Sequence, residues 1–278
     1  MPTSDDYVLG TGDEEIARLG VQHRVWRARA IDAWRRAGIA AGQTVVDVGC
    51  GPGYASLDLA ELVGSSGRVI AIDRSQRFLA ALDAAAKSRG LTHITTIEAD
   101  LDAVTLPDGA DLIWCRWVAA FVSDPKLLLA KIHAALNPGG AFVSHEYFDY
   151  GQWRLAPDTS ELDEFVRAVI ATWRDSGGEP NVGVEIPQWC AGLGFAVRET
   201  RPIMDVLSPR DAAWQWPRAF VESGLHRLTE LGHFTPARAD EIWRAFLARE
   251  AAPDTLMVTP AVLETVAVKD GHLLSAGC

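Results

Sequence analysis

The sequence predicts an α/β fold in which helices cover both faces of a doubly wound, mostly parallel sheet. Three observations lead to this prediction. Short apolar runs typical of buried strands recur between residues 44 and 147. Amphipathic helical stretches separate these runs, and a glycine-rich loop directly follows the first of them. Alternating strands and helices are typical of βαβ units, whose parallel sheets are buried on both faces.

The predicted elements follow one another regularly up to residue 147. The first is a helix over residues 13–38, since apolar side chains recur there at three-to-four spacing. The strands predicted after it are TVVDV (44–48), RVIAID (68–73), ITTIEA (94–99), ADLIWC (110–115) and AFVSHEY (141–147). The helices predicted between them are 54–63, 75–89 and 125–136, the last ended by Asn137-Pro138-Gly139-Gly140.

The pattern is looser after residue 147, and it predicts a helical cap inserted before the final strand. The predicted elements there are helices at 160–175 and 187–192, a strand at 195–207, a mostly helical stretch at 209–251 and a last strand at 262–270. We treat the chain as one domain. Its parts are an N-terminal helical segment (1–42), a core (43–147), a helical insert (148–194) and the last two strands (195–278) with the cap at about 208–260.

Composition and charge exclude several classes of function. The chain has 278 residues and a formal net charge of −11, which repels nucleic acid phosphates, and no basic cluster offsets it. No apolar run approaches the roughly 20 residues of a membrane span, and the acidic start does not resemble a signal peptide. The four cysteines lack the spacing of a zinc site or a disulfide framework. We therefore expect a cytoplasmic protein that binds a small molecule and no nucleic acid, with a homodimer left open.

The glycine-rich loop VVDVGCGPGYA carries the most specific signal. Gly49, Gly51 and Gly53 permit a tight turn and the close approach of a ligand to the backbone. A dinucleotide-binding loop would place a small residue where Tyr54 stands, so Tyr54 counts against a nicotinamide cofactor. Asp47 adds a carboxylate at the strand end, which suits a cation better than a pyrophosphate. The loop therefore indicates a charged amine or sulfonium ligand.

This D-x-G-x-G-x-G arrangement resembles motif I of the class I S-adenosylmethionine-dependent methyltransferases, and the resemblance spans roughly residues 40–147. It implies a Rossmann-like, mostly parallel seven-stranded sheet with an antiparallel last strand, N-terminal helices and a helical cap. It also implies S-adenosylmethionine as the cofactor and S-adenosylhomocysteine as the product. The layout looks most like the small-molecule methyltransferases related to the ubiquinone/menaquinone biosynthesis enzymes.

The resemblance also assigns residues to the cofactor. It places Asp73 on the ribose diol and Asp100 on the adenine amino group with Leu101 against the ring, although Glu98 or Asp102 could take the role of Asp100. It places Cys115, Arg116, Tyr7 and Gln22 near the methionine part of the cofactor. A buried apolar role for Cys115 and a structural role for Tyr7 and Gln22 remain alternatives. The predicted cofactor-binding residues are Tyr7, Gln22, Asp47, Gly49, Gly51, Gly53, Asp73, Arg74, Asp100, Leu101, Cys115 and Arg116.

The acceptor is expected at the carboxyl ends of the strands, where open α/β sheets bind ligands. His145, at the end of the fifth predicted strand, is the candidate general base, oriented by Glu146 or another carboxylate. The alternative is that strand alternation turns His145 into the core. Tyr147 ends the same strand and is predicted to contact the acceptor. No metal site is predicted.

Aromatic residues are frequent after residue 147, and they favour a flat, apolar acceptor. Trp214 and Trp216 are predicted to face the pocket, with a role in the cap core as the alternative. Arg116 and Arg154 could meet a carboxylate or phosphate of the acceptor, or pair at the surface.

The predicted function is methyl transfer to C, O or N of a small, largely apolar or aromatic metabolite, of a secondary-metabolite or quinone-like kind. The alternatives are an S-adenosylmethionine-binding cyclase that transfers no methyl group, an NAD-dependent oxidoreductase and a non-catalytic binding module. Cofactor titration and product analysis separate these functions.

Overall fold

A computed structural model describes residues 10–270 of the chain. The strands are β1 (Thr44–Val48), β2 (Arg68–Asp73), β3 (Ile94–Glu98), β4 (Ala110–Arg116), β5 (Leu136–Asp149), β6 (Arg154–Ala156), β7 (Phe195–Ile203), β8 (Val206–Leu207), β9 (Leu256–Val258) and β10 (Ala261–Lys269). The helices are α1 (Asp13–Arg36), α2 (Tyr54–Val63), α3 (Gln76–Ser88), α4 (Pro125–Ala135), α5 (Ser160–Asp175), α6 (Ile186–Gly192), α7 (Gln215–Glu230) and α8 (Pro236–Ala251).

The main sheet has seven strands in the order β3-β2-β1-β4-β5-β10-β7. Strands β1 to β5 pair in parallel, whereas β10 is antiparallel to both β5 and β7. The predicted fold class is therefore confirmed, including the antiparallel last strand. The strand order reverses between β1 and β4, which opens a crevice at their carboxyl ends, where ligands bind in sheets of this kind.

Helices cover both faces of the sheet because neighbouring strand residues point to opposite sides. Val45 packs with Trp34 of α1 and with residues of α2 on one face. Val46 packs with Leu128 and Ile132 of α4 on the other. These strand residues are fully buried, as the continuous apolar runs of the sequence predict.

The cap lies between β8 and β9, where α7 and α8 pack with α5 around an apolar cluster that reaches Trp26 of α1. The single strand predicted over 195–207 is wrong in one respect, since the chain leaves the main sheet after Ile203. Asp205 exchanges two hydrogen bonds of 3.0 Å with Thr259, donating its N–H to Oγ1 and accepting the Thr259 N–H. The rest of the segment becomes β8 of a second, three-stranded sheet, β6-β9-β8.

Within residues 10–270, no helix is both long enough and apolar enough to cross a bilayer.

Candidate functional site

A cavity of about 480 Å³ lies at the carboxyl ends of the parallel strands. Its volume is within the range of roughly 300–1,000 Å³ typical of small-molecule sites. One part of its lining, called the polar side, comes from the glycine loop and the ends of β1 to β3. The polar side comprises Asp47, Gly49, Gly51, Asp73, Asp100 and Leu101. The other part, the aromatic wall, comprises Trp117, Phe121, Tyr147, Trp173 and Phe220.

The three glycines of the loop have positive φ angles of 67°, 54° and 79°, but they serve different purposes. A Cβ on Gly49 would overlap the side chain of Val118, and one on Gly53 would overlap Leu82. A Cβ on Gly51 would meet nothing closer than 3.9 Å. The close approach of a ligand is therefore available at Gly51, whereas Gly53 is required for packing and does not line the cavity.

Asp73 is held in place by the backbone and keeps acceptor capacity for a ligand. Its Oδ2 accepts the N–H of Gly51 and its Oδ1 that of Ser75, each at 2.8 Å. A carboxylate has about four acceptor positions, so about two remain for a ligand such as a diol. Burial raises the pKa of Asp73, while the backbone hydrogen bonds oppose that rise. The two hydroxyl donors of a ribose diol would fit the remaining acceptor positions of this carboxylate.

Asp47 also lines the cavity, although it is only 2% exposed. Its Oδ2 accepts a hydrogen bond of 2.5 Å from the Ser56 hydroxyl. Burial raises the pKa of Asp47 to about 6 because a charged carboxylate is poorly solvated there, and the nearby Arg116 partly opposes this rise. The carboxyl therefore titrates close to neutral pH, and it can bind a cation in its ionised form.

Asp100 and Leu101 reach the cavity from the end of β3, together with Asp102. An Asp100 oxygen accepts the N–H of Asp102 at 2.9 Å, which fixes the turn. Lys131 donates to the carbonyl oxygen of Leu101 at 2.7 Å. Glu98, an alternative to Asp100 for the adenine contact, is exposed and does not line the cavity.

Gln22 and Arg74 line the cavity as well. Gln22 accepts a hydrogen bond of 3.1 Å from Arg18, which is also paired with Glu15 at 2.6 Å. The predicted contact of Tyr7 lies outside the described residues.

Arg116 lines the cavity and is connected to two groups that sequence reasoning missed. Its Nη2 lies 3.2 Å from Nδ1 of His23, and Nε2 of His23 lies 2.9 Å from Asp58. Because a guanidinium only donates, Nδ1 accepts and the imidazole proton resides on Nε2, which donates to Asp58. Burial lowers the pKa of His23, which is consistent with this neutral ring. These two contacts join residues that are 35 and 93 positions apart in the chain, so no local sequence spacing could reveal them.

His145 is a correction to the predicted site. It is fully buried between the rings of Trp114 and Trp26, and its Nε2 is bonded to Glu264 at 2.9 Å. It does not line the cavity, so the structure does not support its role as a general base. Glu146 does not orient it either, because successive strand residues point to opposite faces.

Three other predicted contacts are also absent from the lining of the cavity. Cys115 is buried against Glu146, and Trp214 is buried with its Nε1 donating to Glu250 at 2.7 Å. Trp216 lies behind the cavity, with its ring 5.9 Å from that of Trp117. Cys115 was placed by the resemblance at a strand end and Trp214 and Trp216 by aromatic clustering, and neither determines which way a side chain points. The structure has the buried alternative for each of the three.

The aromatic wall contains residues that sequence reasoning did not single out. Tyr147 was predicted and does line the cavity, where it stacks on Trp117 with ring centres 5.4 Å apart. Trp117 directly follows β4 and has a φ of 54°, which is uncommon for a residue other than glycine. Glu146 stabilises this conformation by accepting the N–H groups of Val118 and Ala119 at 2.8 and 3.0 Å. The position of Trp117 directly after a strand end was the one feature of the sequence that could have indicated it as a residue of the site.

No metal centre accompanies these groups in the described part of the chain. Within residues 10–270, no three or more His, Cys, Asp and Glu side chains are grouped to hold a metal ion.

Comparisons with known proteins agree with this arrangement. Residues 45–140 match a family described as "Methyltransferase domain". The chain is 31% identical over 212 residues to an uncharacterized 37.1 kDa protein in transposon TN4556 of Streptomyces fradiae, covering 74% of this chain and 58% of that protein. It is 31% identical over 126 residues to demethylmenaquinone methyltransferase of Lactococcus lactis, covering 45% of this chain and 49% of the enzyme. The chain thus spans about half of the length of these curated relatives.

A solved structure extends the likeness to nearly the whole fold. The methyltransferase-like protein BH2331 of Bacillus halodurans C-125 superposes with a TM-score of 0.59 at 14% identity, over 87% of this chain and 99% of that one. At this identity, the likeness concerns the fold alone. Together with the matches in sequence, it confirms the resemblance drawn from the glycine loop.

Proposed function

We propose that this chain, which carries a class I S-adenosylmethionine-dependent methyltransferase domain, transfers a methyl group to a C, O or N atom of a small, largely apolar or aromatic metabolite. One observation carries the proposal: a single cavity joins the polar side to the aromatic wall. When bound, S-adenosylmethionine would supply a methyl carbon on a sulfonium: the acceptor atom bonds to this carbon as the carbon–sulfur bond breaks in line, and S-adenosylhomocysteine is the leaving group. The protein's task is then to hold the acceptor in line and to exclude water.

The polar side holds the cofactor in this proposal. Asp73 accepts the two ribose hydroxyls in its remaining acceptor positions, and Gly51 allows the close approach. Asp100 accepts from the adenine amino group with Leu101 against the ring, and Asp47 attracts the amino group of the methionine part. Gln22 and Arg74 contribute from the same lining.

The aromatic wall holds the acceptor. Flat faces such as those of Trp117 and Tyr147 suit a planar or apolar molecule and tolerate a nearby cation. Within residues 10–270, the lining contains no histidine, so we assign no imidazole base. An acceptor without a proton on its nucleophilic atom needs none.

Asp73→Ala tests the ribose assignment. Loss of the carboxylate removes hydrogen bonds to a charged acceptor, so we expect binding of S-adenosylhomocysteine to weaken by about 1–3 kcal/mol, measured by calorimetric titration. Asp73→Asn, which retains one oxygen acceptor, is expected to lose less. Unchanged affinity in a folded Asp73→Ala protein would remove the ribose assignment.

The pH dependence of binding tests the role of Asp47. Its pKa of about 6 means that the carboxyl is ionised above this pH and protonated below it. We expect affinity for S-adenosylhomocysteine to fall by up to about tenfold per pH unit below pH 6. Asp47→Asn should bind weakly with a flatter profile. A wild-type affinity that does not change between pH 5 and 7.5 would contradict the assignment.

The reaction itself is tested by product analysis. The protein is incubated with S-adenosylmethionine and a panel of aromatic and quinone-like acceptors, and both S-adenosylhomocysteine and the methylated acceptor are measured. We expect the two products to form in equal amounts. Conversion of an acceptor without formation of S-adenosylhomocysteine would instead identify a cyclase that uses the bound cation electrostatically. If no acceptor in a broad panel is methylated by protein that binds the cofactor, the proposed acceptor class is wrong.

A further inference from the structure

Arg116 is a partly buried cation on the wall of the cavity, and part of its hydrogen-bonding capacity is unused. Its Nη2 is bonded to His23, but its buried Nη1 has no hydrogen-bond partner within residues 10–270. It forms no ion pair with a carboxylate in this part of the chain. Burying the N–H groups of a charged side chain without an acceptor is costly, so the Nη1 edge of Arg116 suits an anionic ligand in the cavity.

The surroundings fix the guanidinium in one orientation. Its Cζ lies 5.7 Å from the ring centre of Trp114 and 5.2 Å from that of Trp117. His23, held by Asp58, fixes the Nη2 edge. Burial lowers the pKa of Arg116 to about 10, so the side chain remains charged at neutral pH. A rigid, charged fork of this kind binds carboxylates well because its N–H groups are already aligned.

The position of Arg116 relates it to the acceptor. One of the rings that it packs on, Trp117, belongs to the aromatic wall and stacks on Tyr147. A flat molecule lying on that wall would bring a substituent at its edge to the guanidinium. Asp47, which carries the opposite charge, is close enough to Arg116 to interact with it electrostatically. The two residues therefore offer separate places for a cation and an anion.

We propose that Arg116 binds a carboxylate of the methyl acceptor, so that the preferred acceptors are flat, largely apolar acids. This inference rests on the proposed function, because it names the acceptor class of the same cavity. The competing occupant is the carboxylate of the cofactor's methionine part, near which the sequence resemblance placed Arg116. The two occupants predict different losses when Arg116 is replaced.

The experiment compares indole-3-acetate with indole-3-acetamide, which share a ring and differ in charge. Binding of each is measured by calorimetry to protein saturated with S-adenosylhomocysteine. We expect the wild type to bind the acid at least about tenfold more tightly than the amide. Arg116→Gln should lose this preference and keep its affinity for S-adenosylhomocysteine within about threefold. Arg154→Gln, at an exposed position outside the cavity, should retain the wild-type preference.

Two results would overturn the proposal. One is a wild type that does not prefer the acid, and the other is an Arg116→Gln protein that loses S-adenosylhomocysteine affinity yet keeps the acid preference. If Arg116→Gln does not fold, Arg116→Lys keeps the charge and loses the fork, so acid binding should weaken several-fold and amide binding should not. If the wild type fails to bind S-adenosylhomocysteine, the proposed function fails, and the acid and amide are compared on the protein alone.

Discussion

Glu146→Gln is expected to stabilise the protein relative to the wild type as the pH rises from 4.5 to 7. Burial raises the pKa of Glu146 from 4.5 to about 7, so the folded state favours the protonated acid. The stability that this preference contributes is complete below pH 4.5 and is lost as the pH rises through 7. Gln cannot ionise, so the difference in unfolding free energy should grow by about 3 kcal/mol over this interval and then stay constant.

The measurement is urea unfolding of both proteins at several pH values between 4 and 8. Glu61→Gln, at an exposed position of α2, controls for the removal of one negative charge. A difference between Glu146→Gln and the wild type that does not vary with pH would contradict the raised pKa of Glu146. The result matters for the site because Glu146 holds the backbone that carries Trp117.

Gly53→Ala is expected to lower the free energy of unfolding by about 2–5 kcal/mol, because two costs combine. The φ of 79° strains a residue with a Cβ, and this Cβ would overlap the fully buried Leu82. Thermal and urea unfolding measure the loss. A free energy of unfolding within about 1 kcal/mol of the wild type would contradict this prediction, because it would mean that Leu82 of α3 moves aside at little cost.

Gly51→Ala is the matched comparison. Its φ of 54° brings the strain, but the Cβ would enter open space, so we expect a loss of only about 1–2 kcal/mol. The same methyl group narrows the cavity beside Asp73, and binding of S-adenosylhomocysteine should weaken although the protein is folded. Equal destabilisation by both substitutions would contradict the division of roles between the two glycines.

The polar side of the cavity could be predicted from the sequence because its residues are close in sequence to strand ends. Parallel strands bring their carboxyl ends to one edge of a sheet, so a glycine loop after β1 and the positions of Asp73 and Asp100 were enough to place them together. The fold class was predictable for the same reason, since strand and helix periodicities are local.

The acceptor side could not be predicted in the same way. His145 was assigned by its place at a strand end, but its ring points away from the cavity to Glu264, which is 119 positions distant. Trp214 and Trp216 were chosen among several aromatic residues, and packing of the cap decides which rings face the cavity. Apart from Tyr147, the residues of the aromatic wall (Trp117, Phe121, Trp173 and Phe220) were not predicted, because they come from separate elements that meet only through contacts distant in sequence.

The central claim is that the glycine loop and the strand ends hold S-adenosylmethionine and not a nicotinamide cofactor. Calorimetric titration of the purified protein with S-adenosylhomocysteine, with NAD in a parallel titration, tests it most directly. We predict micromolar binding of S-adenosylhomocysteine and no measurable binding of NAD. Binding of NAD alone would contradict the account, and the assignments of Asp47, Asp73 and Asp100 would be lost with it.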